Sequence, residues 1–80
     1  MFTIQEAKKA LSDKYPELTP ISAVEYDSRF VFDVRPKGQV NVGRTLNSTL
    51  EVDKMTGEIA TFMPKRIPID EYRRGVKVLL

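Results

Sequence analysis

The sequence predicts a small α+β domain: an N-terminal helix, a four-stranded antiparallel sheet built from two hairpins, and a short C-terminal helix. Three observations lead there. A capping pattern opens an amphipathic stretch at the N-terminus. Two pairs of β-forming segments are each joined by turn-type residues. A proline followed by acidic residues marks a second, shorter helix.

Thr3-Ile4-Gln5-Glu6 reads as a capping box, with Thr3 as N-cap, Glu6 at the third helical position and Phe2 where a staple residue sits. Ile4, Ala7, Leu11 and Tyr15 follow at helical spacing and make one apolar stripe, while Lys8, Lys9, Asp13 and Lys14 are expected to face water. Pro16 stops the helix, because the residue before a proline is pushed out of α geometry. Leu18 can fold back on the same core. Ile21 to Tyr26 is rich in β-formers. From Arg29 to Arg35 the chain alternates, with Phe30, Phe32 and Val34 on one face and Val31, Asp33 and Arg35 on the other. Asp27-Ser28 suits the turn between them, and Pro36 ends the second strand.

Residues 36–48 form a long connection with two glycines and two asparagines, expected to be mobile. The second hairpin runs from Thr49 to Asp53 and back from Glu58 to Met63. Its turn is Asp53-Lys54-Met55-Thr56-Gly57, with Gly57 at a left-handed bulge position. Pro68 begins the last helix, Asp70 and Glu71 suit its positive end, and Gly75 suits its stop. Ile69, Tyr72 and Val76 share a helical spacing. The apolar tail Val76-Lys77-Val78-Leu79-Leu80 is expected to dock, on its own sheet first or on a second copy in a homodimer. Both helices are placed on the face that carries Phe30, Phe32 and Val34.

The chain has no cysteine and no histidine. Thiol chemistry and zinc-thiolate sites are thereby excluded, along with the commonest general base and metal ligand. A Ser-His-Asp or Cys-His arrangement cannot be built. The acids that a paired-carboxylate mechanism would draw on, Asp33, Asp53 and Glu58, fall at expected exposed strand or turn positions and read as structural. Asp53-Lys54-Met55 lacks the alternating oxygen ligands of a calcium loop, and Gly38 and Gly43 near Lys37 and Arg44 do not have P-loop spacing. No catalytic residue, metal or cofactor is expected, and the chain reads as a non-enzyme.

The formal net charge is +2, too mild to imply nucleic-acid binding by itself. Arginines and aromatics share the strand Arg29 to Arg35, but the core needs both phenylalanines. The charge is uneven. Residues 1–28 hold three bases against five acids, and the remainder ten bases against six acids. Candidate partner contacts are therefore the loop residues Lys37, Val40, Val42 and Arg44, and a basic set around the last helix, Lys65, Arg66, Arg73 and Arg74. No apolar run approaches the ~20 residues of a spanning helix, and the N-terminus has no signal-peptide pattern, so the expected place is the cytoplasm.

The segment Leu50-Glu51-Val52-Asp53-Lys54-Met55-Thr56-Gly57-Glu58-Ile59 resembles the hairpin of PepSY-like domains and related bacterial immunity proteins. The whole chain is also similar to small proteins encoded among the structural genes of tailed phages. Those pair an N-terminal helix like Glu6-Ala7-Lys8-Lys9 with such a hairpin, then an aromatic-x-Pro (here Phe62-Met63-Pro64) and an acidic helix (here Asp70-Glu71-Tyr72). The resemblance implies one PepSY-like domain over residues 1–80 and a non-catalytic protein-interaction role of phage or prophage type. The expected partner is a phage assembly component or a host protein, in the host cytoplasm. An inhibitor or immunity protein that blocks an enzyme is the alternative. A weak nucleic-acid binder ranks third.

Overall fold

A computed structural model describes residues 1–36, 48–63, 65 and 67–78. Helix α1 spans Ile4–Lys14, and strands β1 Leu18–Glu25, β2 Arg29–Pro36, β3 Ser48–Asp53 and β4 Ile59–Thr61 follow. Helix α2, Ile69–Arg73, and strand β5, Val76–Val78, come last. The sheet has five strands in the order β4-β3-β2-β1-β5, antiparallel at every pairing.

α1 forms for the reasons its sequence gives. Thr3 N–H donates to Glu6 Oε1 at 3.0 Å and Glu6 N–H donates to Thr3 Oγ1 at 3.2 Å, so the capping box is closed. Tyr15 caps the other end. Ala7 and Leu11 are buried against the sheet, and Ile4, Ala10, Tyr15 and Leu18 pack around them. The sheet meets them with Ala23 of β1, Phe30, Phe32 and Val34 of β2, Leu50 and Val52 of β3, and Ile59 of β4. Phe32 and Val52 are fully buried, so this face holds the main core.

Four expectations need correction. The sheet has a fifth strand: Ala23 pairs with Val78 and Glu25 with Val76. Gly75 breaks the helical stripe, and Val76 becomes the first residue of β5. Three residues are too few to read as a strand from alternation alone. Docking on the chain's own sheet holds for Val76–Val78, while Leu79 and Leu80 lie outside the described residues. The two helices do not share a face. Tyr72 of α2 stacks on Tyr26, which belongs with Val31 and Ile67 to a second cluster on the opposite side of the sheet, where Val24 and Phe62 also pack. β1 begins at Leu18 and β2 extends to Pro36, because the ladder from Leu18–Pro36 to Glu25–Phe30 absorbs Pro20 with a register shift between Pro20 and Ser22. The return strand β4 is shorter than expected.

The Asp53–Gly57 turn behaves as its composition demands. Asp53 Oδ1 accepts from the Met55 and Thr56 N–H groups at 2.7 and 3.1 Å, and Gly57 has φ +74°. Gly57 is needed twice over, because a Cβ there would enter the Phe2 ring. The staple residue thus also covers the turn.

Gly57→Ala is expected to destabilise the protein by about 1 kcal/mol or more through its backbone alone, with the Phe2 clash added. In urea unfolding, a Phe2→Ala background should recover part of the loss, and strict additivity of the two substitutions would remove the steric account. A second prediction concerns Glu6, whose carboxyl is held below its ordinary value of 4.5 by the Thr3 backbone N–H and then the Thr3 side chain. A lowered folded-state value stabilises above the unfolded value and loses that contribution as pH falls through the folded value. The stability difference between the natural protein and Glu6→Gln should be present at neutral pH and fade below about pH 4; a difference that persists at pH 2 would contradict it.

Candidate functional site: the α2 limb

The outer face of the sheet is crossed by the chain on its way from β4 at one edge to β5 at the other. Residues 67–78 of that crossing form a limb with few apolar anchors. Ile67 is buried in the second cluster. Tyr26 is sandwiched in a row of rings, 6.5 Å from Phe62 and 5.7 Å from Tyr72 between centroids. Burial, and after it the neighbouring Tyr72, push the Tyr26 hydroxyl above its ordinary value. Gly75 lets the chain pass close: a Cβ there would lie 2.5 Å from Tyr26 Cε1 and 2.9 Å from Val24 Cγ1.

Polar ties to the β1–β2 turn do the rest. Glu71 Oε2 accepts from Ser28 N–H at 2.9 Å and from Ser28 Oγ at 2.6 Å. Arg74 Nη2 sits 2.6 Å from Asp27 Oδ2, and that hydrogen bond and charge raise the guanidinium above its ordinary value. The Asp27 pair is exposed and contributes little stability. The Ser28–Glu71 contact is part-buried and charge-assisted, so it is the stronger tie.

α2 itself buries none of its residues. Ile69 is 66% exposed and Tyr72 48%, and Val76 beyond the helix is 63% exposed. Arg73, next to Tyr72, is exposed as well. The limb therefore presents an aliphatic residue, a ring held from behind by stacking, and a guanidinium.

The basic set expected around α2 is divided by the structure. Arg74 is drawn to Asp27, Arg73 and Lys65 are exposed, and Arg66 lies outside the described residues. The loop residues Lys37, Val40, Val42 and Arg44 also lie outside them. Two of the three acids considered for catalysis have structural partners. Asp33 accepts from Ser22 at 2.9 Å and Thr49 at 3.2 Å, and Asp53 holds its turn. Asp53 and Glu58 do line a shallow depression with Arg29 and Glu51, but Glu51 is paired with Arg29 there. Among the described residues no group of three or more acids could hold a metal ion, and no helix is long and apolar enough to cross a membrane. Sequence reasoning placed Ile69, Tyr72 and Val76 on one stripe without reading them as contacts. Their spacing was visible, but their exposure depends on which face α2 occupies.

Ser28→Ala removes the hydroxyl that donates to Glu71. In hydrogen exchange, the amides of Tyr72 and Arg74 should open about tenfold faster, in line with a loss of ~1.4 kcal/mol for a charge-assisted bond, while the α1 amides should be unaffected. Uniform acceleration would mean that the tie supports the whole fold. No protein family, no curated protein and no solved structure matches this chain, so the reading of the α2 limb rests on its own geometry.

Proposed function

We propose that the chain is a non-catalytic interaction module that binds another protein through the α2 limb. The observation that carries this is the exposure of Ile69 and Tyr72 on a helix that spends no residue on the core, and of Val76 just beyond it. A five-residue helix does not hold its own conformation in water, so its ordering comes from ties to the rest of the chain. Fully burying one large apolar side chain is worth roughly 1.5–3 kcal/mol. Three such side chains left in water are a reserve that a partner can draw on. Tyrosine and arginine side by side, with an aliphatic neighbour, are also the residue types that dominate binding energy at protein interfaces.

The partner class follows from the similarity of the Glu6–Lys9 helix and the Leu50–Ile59 hairpin to small tailed-phage proteins. It is a phage assembly component or a host protein, met in the cytoplasm of the host cell. The PepSY-like resemblance of the same hairpin belongs to this reading.

Affinity capture from cells that carry the natural partner should retain a protein on the natural chain and lose at least nine-tenths of it on an Ile69→Glu/Tyr72→Ala variant with an unchanged circular dichroism spectrum. Equal capture by the variant would place the binding surface elsewhere. Recovery of an enzyme that the bound chain inactivates would turn the reading to an inhibitor.

A further inference from the structure

The limb takes little of the core with it. The largest fully buried side chains, Phe32, Leu11, Val34 and Val52, belong to α1, β2 and β3. Among the described residues from 68 to 78, Val78 alone packs against that core, and it is half-buried. Ile67, buried in the second cluster, marks the near end of the segment. Beyond it the attachments are the Tyr72 ring on Tyr26, Glu71 on Ser28, Arg74 on Asp27, and three residue pairs between β5 and β1.

What these attachments grip holds without them. The β1–β2 turn is closed by Tyr26 N–H donating to Arg29 O at 2.8 Å, and Lys54 N–H donates to Ser28 O at 3.0 Å from the β3–β4 turn. β1 is paired with β2 along its length, from Leu18 to Glu25. The limb's own parts do not hold without their anchors. A helix of five residues and a strand of three are each too short to persist alone in water. They are joined through Arg74 and Gly75 only, so freeing one loosens the other.

We infer that residues 68–78 form a strap that opens as one unit from a domain that stays folded, and that opening switches the binding surface off. Closed, the strap holds Ile69 and Tyr72 in fixed places. Open, α2 has no anchor and the surface is dispersed, while Tyr26 and the edge of β1 at Ala23–Glu25 are uncovered. The switch rests on the reading of the limb as the binding surface; the opening does not. The apparent affinity for a partner is the affinity of the closed form scaled by the closed fraction. Gly75 is the sensitive point of the device. A Cβ there would stand 2.5 Å from Tyr26 Cε1 and 2.9 Å from Val24 Cγ1, contacts that exist only in the closed form. Gly75 does not have positive φ, so Gly75→Ala penalises the closed form through those contacts and leaves the open form unstrained.

Hydrogen exchange of the full natural chain in low urea tests the opening. The Tyr72, Arg74 and Gly75 amides donate within the limb, to the Pro68, Glu71 and Tyr72 carbonyls. They should exchange through one common event, about a hundredfold or more faster than the Val31 and Phe32 amides of β2. Their rates should also depend less on urea, because opening the strap uncovers less surface than unfolding the domain. A disulfide made by Val24→Cys/Lys77→Cys joins directly opposite residues of β1 and β5. Once oxidised, it should bring the limb amides to the β2 behaviour. Limb amides that already match β2 in the natural chain, or that exchange at unrelated rates whether or not the disulfide is formed, would overturn the inference. Capture of the natural partner tests the switch. Gly75→Ala should retain about fivefold less partner or lower still, and the oxidised disulfide added to Gly75→Ala should restore it. If Ile69→Glu/Tyr72→Ala abolishes capture while Gly75→Ala retains as much as the natural chain, the limb remains the binding surface and the switch is excluded. Equal capture by all three chains removes the binding reading and the switch with it, and leaves the opening to the exchange result.

Discussion

Lys54 joins what would otherwise be three loose ends of the molecule. Its backbone N–H donates to Ser28 O at 3.0 Å, and its carbonyl accepts from Phe2 N–H at 2.7 Å. Its ammonium reaches Glu25 Oε2 at 2.7 Å and lies 5.0 Å from the centroid of the Phe30 ring. One residue thus fastens the chain's start, the β1–β2 turn and the β3–β4 turn at the same end of the sheet. A lysine side chain only 10% exposed would be costly without these partners. With a carboxylate and an aromatic face supplied, its charge is compensated where it is buried. The β1–β2 turn it grips is the turn that Glu71 and Arg74 hold from the other side. The placement of the α2 limb therefore depends on a turn braced from both faces.

The two faces of the sheet are organised on different principles. The α1 side is a continuous apolar core, filled by side chains that alternate along each strand. The outer side is mixed. A small cluster around Tyr26, Val31 and Ile67 lies beside a polar stretch in which Asp33 bridges Ser22 on β1 and Thr49 on β3, and Arg29 pairs with the buried Glu51. A face this polar cannot draw a helix down by burial alone. That accounts for α2 being held by ring stacking and directed hydrogen bonds while its apolar residues stay in water.

Much of the frame was legible in the sequence because local rules and the tertiary fold agree. Thr3 and Glu6 set the start of α1, Phe30, Phe32 and Val34 set the buried face, and Asp53 and Gly57 set the second hairpin. What was not legible depended on distant neighbours. Lys54 and Glu51 sit in a turn and on an alternating strand where charge reads as exposure, and partners on neighbouring strands, Glu25 and Arg29 among them, make their burial tolerable. β5 is specified by the open edge of β1 and not by its own three residues. The candidate surface was half visible for the same reason: a stripe of Ile69, Tyr72 and Val76 announces an apolar face, but the stacking of Tyr72 on Tyr26 decides which way the helix looks, and the pairing with Glu25 takes Val76 out of the helix altogether.

The strand order carries a consequence for the molecule while it folds. Each pairing from β1 to β4 joins neighbours in sequence, whereas β1 and β5 meet across more than fifty residues, from Glu25 to Val76. Contacts that close such a long loop form late. During that interval the outer edge of β1 has no partner and offers its backbone to any other strand. Pro20, which has no N–H to offer, and the register break beside Ile21 spoil the first half of that edge as a template for aggregation. The half left to guard is Ala23–Glu25, the stretch that β5 arrives to cover.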